Sequence, residues 1–522
     1  MTIMIYNRIA ISLSFLFSFF QTFAQLPQMD VKHYRFEVKL SNESNLLHNR
    51  AAITVDVPEG MDTIRLDLAN QMIIKKIEME KRPVAFVHRE DVVYIVVPRG
   101  MALARTVEID IQYRGVPRDG LVISENKYGD RTFFTDHWPN RASQWLPVVD
   151  HPSEKATCEF IVEAPEEYSV ISNGDLISVQ AMVTGYKRTH WKIQQPIPPK
   201  VMAMGVAPFE TQALDSASTA WLYRQTAEAG YTGFGDAPSV LAYLEGQIGA
   251  YPFDKADHVE STTRFGGMEN ASCIFYNEKE VRLGHGINAL VAHELAHQWF
   301  GNSASEAVWE DVWLSEGFAT YFQFMYIKDT YGLDSLKKVS LKSENKIQRY
   351  EDKYPGRTII QTNYSTLNSL LNALSYDKAA WMLRALKHWI GEQQFAQLIQ
   401  TYYARYSYSN ARTEDFISVA EEVSGEDLGG FFYQWLRIPG GVDVRYNWKY
   451  RRGKLELNLE QKTKHVYHLK IDVPVVMSNN TIEVRQIELT ERSQSFVLDH
   501  ANVESNVVLD PLNIWYGSFT KE

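Results

Sequence analysis

The sequence predicts a multidomain α+β protein. Behind a leader of residues 1–24 it places an all-β domain over 25–211, a mostly helical domain over 212–440 and a small C-terminal β-sandwich over 441–522. Three observations predict this. Residues 34–40, 52–57 and 106–111 alternate apolar and polar side chains with a period of two, as half-buried strands do. Between residues 239 and 436 apolar positions recur at helical spacing instead. After Ile438-Pro439-Gly440-Gly441, which breaks the helical run, short alternating stretches return.

The leader carries Arg8 and then an apolar run, residues 9–20, softened by Ser12, Ser14 and Ser18; Thr22-Phe23-Ala24 supplies a cleavage site before Gln25. The run is short for a membrane span, and no later segment has spanning length. The expectation is an exported protein, periplasmic or secreted, with no stable membrane insertion once the leader is removed. Its two cysteines, Cys158 and Cys273, are expected as unpaired buried thiols.

In the β domain, turn signals at Pro58-Glu59-Gly60 and Arg99-Gly100 separate strands, and residues 91–97 are apolar enough for burial on both faces. Residues 135–147, with two prolines and two tryptophans, read as an ordered loop in which His137 is hydrogen-bonded rather than ligating. A short strand is expected over 201–206. A helix follows over 239–249, with Pro238 in its first turn. The stretch Arg264-Phe265-Gly266-Gly267-Met268-Glu269-Asn270 reads either as a Gly-rich turn before a strand or as a backbone that approaches a ligand closely. Helices are expected over 287–300, 376–386, 395–406, 414–423 and 428–436. C-terminal strands are expected over 455–459, 469–473, 495–498 and 506–509.

Of 522 residues, 45% are hydrophobic and 22% charged, the balance of an ordinary globular protein. The net charge of −11 is spread along the chain, so there is no basic footprint for nucleic acid. No internal repeat appears, and nothing bears on oligomeric state.

The chemistry lies in His293-Glu294-Leu295-Ala296-His297, inside the apolar-periodic run from Ile287 to Phe300, with Gly301-Asn302 as its stop signal. Imidazoles four apart on a helix share a face and can reach one metal ion. Glu294 is placed to hold a water without ligating. A third donor is available at Glu316, separated from His297 by residues 298–315, enough for a turn and the start of a second helix. Two histidines and a carboxylate with an open position suit one hydrolytic Zn2+ per chain. Glu294 would take the water's proton and return it to a leaving amine. An oxyanion donor opposite the metal is required, and spacing alone does not identify it.

These features, with Gly266-Gly267-Met268-Glu269-Asn270 upstream, resemble the aminopeptidase N and leukotriene hydrolase family of gluzincins. The resemblance implies a saddle-like β domain, a thermolysin-like catalytic domain and the small β-sandwich of some members. It implies zinc ligation by His293, His297 and Glu316, with Glu294 as general base. It implies substrate contacts along Gly266, Gly267, Met268, Glu269 and Asn270, Glu269 binding the α-amine of peptides with a free N-terminus. Tyr376, sixty residues after Glu316 and followed by Asp377 and Lys378, falls where the family has its transition-state tyrosine. A phenol stabilises an oxyanion without adding a full charge, and a carboxylate facing an ammonium fixes where the N-terminus sits. Two departures are present. Trp138 stands nine residues before Pro147, where the family carries a second Glu or Gln anchor for the amine, leaving Glu269 alone or helped by Asp136. The large helical C-terminal domain is absent from this sequence. These motivate an alternative endopeptidase or dipeptide-releasing activity. A non-catalytic peptide-binding module would have no need of Glu294.

Overall fold

The computed structural model describes residues 29–98, 105–183, 185–281, 287–477, 481–499 and 507–522. The leader and the Arg99-Gly100 turn lie outside them.

The alternating N-terminal segments build an eight-stranded sheet. Its order is Asp175–Ala181, Tyr186–Ile197, Ala156–Pro165, Asp30–Lys39, Leu47–Val57, Arg105–Gly115, Ile73–Met79, Arg82–Pro83. The first strand pairs in parallel with Ala156–Pro165, His33 opposite Thr157 through Lys39 opposite Glu163. Burial alternates along Leu47–Val57, as its period-two pattern requires. A three-stranded sheet has Val92–Val96 at its centre. There Val92, Val93, Ile95 and Val97 are buried while Tyr94 is half-buried and Val96 exposed, so the stretch expected to be covered on both faces alternates from Val93 onward instead. A four-stranded sheet, Ser169–Ser172, Met204–Ala207, Arg131–Thr135 and Leu121–Glu125, faces the next region.

That region opens with strands rather than helices. Phe209–Ala213, Thr219–Tyr223, Asp257–Ser261, Cys273–Asn277 and Gly267–Met268 form a mixed sheet. The boundary expected at residue 211 therefore falls inside a strand. Only a strand after the Gly266-Gly267 turn is anticipated by the sequence; the others are short, and Asp257–Ser261 is buried on both faces, which removes the alternation. The helices that follow are α1 (Ala227–Phe234), α2 (Ala237–Ile248), α3 (Glu278–Val281), α4 (Asn288–Trp299), α5 (Trp313–Tyr331), α6 (Leu333–Lys353), α7 (Ala379–Ile390), α8 (Glu392–Tyr406), α9 (Thr413–Ser424) and α10 (Gly429–Leu436). Expected helix 376–386 is two things: a π-helical turn, Leu374–Lys378, and then α7.

The C-terminal strands form a four-stranded sheet, ordered Ser493–Asp499, Lys454–Gln461, Val442–Arg451, Gly517–Lys521, and the hairpin Leu469–Val476 with Ile482–Leu489. The strand expected at 506–509 is not formed over its described part. Residues 509–512 bend and turn, with the Asp510 carboxylate accepting the amides of Ile514 (2.8 Å) and Trp515 (2.9 Å). The strand comes later, at Gly517–Lys521, where it pairs in parallel with Val442–Arg451. One continuous core runs through the helical region into this sheet, with Trp381, Trp435 and Trp515 fully buried in it. A second core fills the N-terminal region and reaches Met268 and Trp309. Cys158 and Cys273 are buried and free. Among the described residues no helix is long and apolar enough to cross a membrane.

Candidate zinc centre and active site

α4 carries His293, Glu294 and His297 on a helix that is buried nearly all round, and it stops where expected. Phe300 is extended and Gly301 adopts φ +121°, a conformation that favours glycine. A Cβ on Gly301 would also press into Ser315 Oγ and lie 3.3 Å from His297 Nδ1. The chain can reverse close to the histidine only because that atom is missing.

The reversal brings α5 back against α4, with Glu316 in its first turn. Glu316 Oε2 lies 3.2 Å from His297 Nε2 and 3.6 Å from His293 Nε2, and the two Nε2 atoms are 3.2 Å apart. His297 Nδ1 sits 3.2 Å from the Phe300 carbonyl, which can only accept, so Nδ1 carries a proton and a neutral ring turns a lone pair inward at Nε2. Donors about 2.0–2.1 Å from one tetrahedral ion are spaced by roughly 3.3 Å. The three atoms match that spacing, and Glu316 Oε2 is buried with no hydrogen-bond donor of its own. The donor set therefore fits zinc. The electrostatics agree. Burial alone would lower the His297 pKa, yet Glu316, Glu269 and Glu294 together push it up to about 10, so the pocket attracts a positive charge that a proton and a metal ion compete to supply.

Glu294, Glu269 and Tyr376 share the cavity of about 480 Å³ lined by these donors, together with Gly266, Gly267, Met268 and Trp138. Burial, reinforced by Glu269 and Glu316 against the opposing pull of His297, holds the Glu294 carboxyl well above the usual range. Gly267 passes directly over it: a Cβ there would overlap the Glu294 carboxylate. Gly267→Ala is expected to swing that carboxylate aside and lower kcat/KM about a hundredfold, as misplacement by about 1 Å does, with a much smaller loss of thermal stability. Activity within twofold of wild type would remove Gly267 from the account.

Glu269 is held by its backbone. Its carbonyl accepts Gln298 Nε2 (2.9 Å) and Asn302 Nδ2 (2.6 Å), so the zinc helix and its reversal fix the segment. Its side chain is buried, Oε1 has no partner, and burial raises its pKa. Asn270 does not line the cavity; it is buried behind the segment. Asp136 is not available either. It pairs with Arg141, with Arg264 Nε 3.7 Å away, and lies outside the cavity wall. Trp138 fills the position instead, packed edge-on against Trp309 with Lys200 Nζ 5.3 Å from its ring centre. His137 is buried, accepts Trp145 Nε1 at 2.9 Å and belongs to neither cluster of potential metal donors found among the described residues.

Tyr376 reaches the site through the π-helical turn, its ring parallel to that of His293 with centroids 6.1 Å apart. Its phenol sits against Glu316, and burial, then the neighbouring carboxylates, hold it protonated. Gly317 allows this approach, since a Cβ there would lie 2.6 Å from the Ala379 Cβ. Lys378 anchors the turn through Glu351 Oε1 (2.8 Å) and the Gly440 carbonyl (2.7 Å). Sequence reasoning missed Gln298, Asn302, Ser315 and Lys200. Gln298 and Asn302 follow the motif closely, but nothing local says which backbone they would meet.

Such a centre, two histidines and a glutamate on packed helices with a further glutamate over the open side, defines the class of zinc metallopeptidases. The sequence narrows it: residues 234–435 match the Peptidase family M1 domain and residues 30–199 the Peptidase M1 N-terminal domain, and the chain belongs to peptidase family M1. Similar proteins include glutamyl aminopeptidase of Sus scrofa, 26% identical over 404 residues, 72% of this chain and 42% of that protein. Aminopeptidase A of Gloydius brevicauda is 29% identical over 330 residues, 59% of this chain and 34% of that protein. Aminopeptidase M1-D of Oryza sativa subsp. japonica is 27% identical over 318 residues, 57% and 36%. The chain spans less than half the length of these relatives.

Proposed function

We propose that this chain is an exported zinc aminopeptidase that removes residues one at a time from peptides with a free N-terminus. The observation that carries the reading is Glu269: a buried carboxylate with an unpartnered oxygen, in the same cavity as the three metal donors and Glu294. His293, His297 and Glu316 would hold the metal, which when bound acidifies a water and polarises the scissile carbonyl. Glu294 takes the proton of the attacking water and gives it to the leaving amine. The Tyr376 hydroxyl donates to the charge that develops on the carbonyl oxygen. Glu269 pairs with the substrate ammonium and sets the register of the chain, while Gly266 and Gly267 let the substrate backbone approach. Trp138 closes the wall where a second amine anchor would stand, leaving Glu269 to hold the amine alone. The proposed domain division is a saddle-like β domain to about residue 208, a thermolysin-like catalytic domain to 440 and a β-sandwich beyond it. The apolar run at residues 9–20 supports export.

The test uses two peptides differing only in acetylation of the N-terminus. The free peptide is expected to lose single residues, the acetylated one to remain intact, and a chelator to stop cleavage until zinc is restored. Comparable cleavage of the acetylated peptide at internal bonds would replace this reading with the endopeptidase one and remove Glu269 from its role.

A further inference from the structure

We infer that α6 carries a binding ridge for the leaving side of the peptide, selective for acidic side chains a few residues beyond the scissile bond. The inference rests on the aminopeptidase reading for the position of that bond. Lys342, Lys346, Arg349 and Lys353 follow one another at intervals of four, three and four along α6 and so form one stripe. The stripe is about 16 Å long at 1.5 Å per residue, and all four side chains are exposed. Its inner end, Lys342 and Lys346, lines the cavity that holds the metal donors. Its outer end, Arg349 and Lys353, lines an adjoining groove of about 610 Å³. Cavity and groove share Phe265, Lys346, Leu371, Tyr376 and Asp377, so the ridge begins beside Tyr376 and leads outward.

Few acids answer these cations. Asp377 faces Lys346 at 3.5 Å. Glu351 is taken up by Lys378 (2.8 Å) and the Tyr516 hydroxyl (2.8 Å). Glu344 lines a different cavity, on the opposite flank of α6. Asp352 is exposed and lines neither the cavity nor the groove. Among the described residues Lys342 and Arg349 have no ion-pair partner, and Lys353 lies 5.1 Å over the Tyr354 ring. Unneutralised cations in one line at the mouth of a substrate cavity, on a chain of net charge −11, form a local positive field of the kind that guides acidic ligands. An extended peptide advances about 3.3 Å per residue, so the stripe spans roughly five of its residues. Tyr350 and Tyr354, ring centroids 4.9 Å apart, give the groove an aromatic floor.

Two octapeptides with the same N-terminal alanine test the ridge, one carrying Glu at positions three to six and the other Gln. The wild-type enzyme is expected to favour the Glu peptide by about fivefold in kcat/KM, through KM, with the advantage shrinking as salt is raised. In Arg349→Glu/Lys353→Glu the preference disappears or reverses. The loss on the Glu peptide then exceeds the loss on alanyl-p-nitroanilide, which has no chain beyond the scissile bond. Equal wild-type rates on the two peptides, or a preference that survives the charge reversal, overturns the ridge. Anisotropy of a fluorescein-labelled Glu peptide bound to Glu294→Gln, with and without the reversal, reads the ridge without turnover. If no N-terminal residue is released from any free peptide or aminoacyl-p-nitroanilide tested, the aminopeptidase reading falls, and the binding measurement still decides the ridge.

Discussion

Glu294→Gln is expected to lower kcat by about a thousandfold or more while one zinc per chain stays bound. The carboxylate is buried, and Glu269 and Glu316 help hold its proton affinity well above that of a free glutamate. That suits a group which must accept a proton from water and release it to an amine. Glutamine keeps the shape under Gly267 but accepts no proton. His293, His297 and Glu316 are untouched, so metal analysis separates a chemical defect from a lost site. Retention of a tenth of wild-type kcat, with zinc in place, would remove the general-base assignment.

Tyr376→Phe should reduce kcat about 10²- to 10³-fold and leave KM within about twofold, the pattern of a donor that acts on the developing charge rather than on the bound substrate. Phenylalanine preserves the ring that lies parallel to His293 and the packing of the π-helical turn, so the change deletes only the hydroxyl. The phenol stays protonated because burial and then the adjacent carboxylates oppose its ionisation, which keeps it a donor across the neutral pH range. A rise in KM with kcat unchanged would make Tyr376 a wall of the substrate cavity and nothing more.

Much of the site was legible because its logic is local. Two imidazoles four residues apart share a helix face whatever surrounds the helix. A stop at Gly301 and a return helix beginning near Trp313 place Glu316 within reach of them. The N-terminal strands were legible for a similar reason: a sheet buried on one face imposes alternation on the chain. The mixed sheet around Asp257–Ser261 was not, because burial on both faces erases the alternation. The C-terminal strand was misplaced because Asp510 turns the chain where apolar residues alone suggested extension.

Ligand type and spacing are properties of consecutive residues, so the reaction class this chain is suited to can be read from them directly. The sequence also determined which segments could be strands or helices. The surroundings of the metal donors came from the packed fold. It set Glu269 beside them through Gln298 and Asn302, withdrew Asp136 into a pair with Arg141, put Trp138 in the wall over Lys200, and turned the basic stripe of α6 toward the cavity. It also merged the C-terminal sheet and the catalytic helices into one core. Periodicity specifies which face of an element is apolar or charged. What that face meets depends on contacts between residues far apart in the chain, and those exist only once the elements have packed.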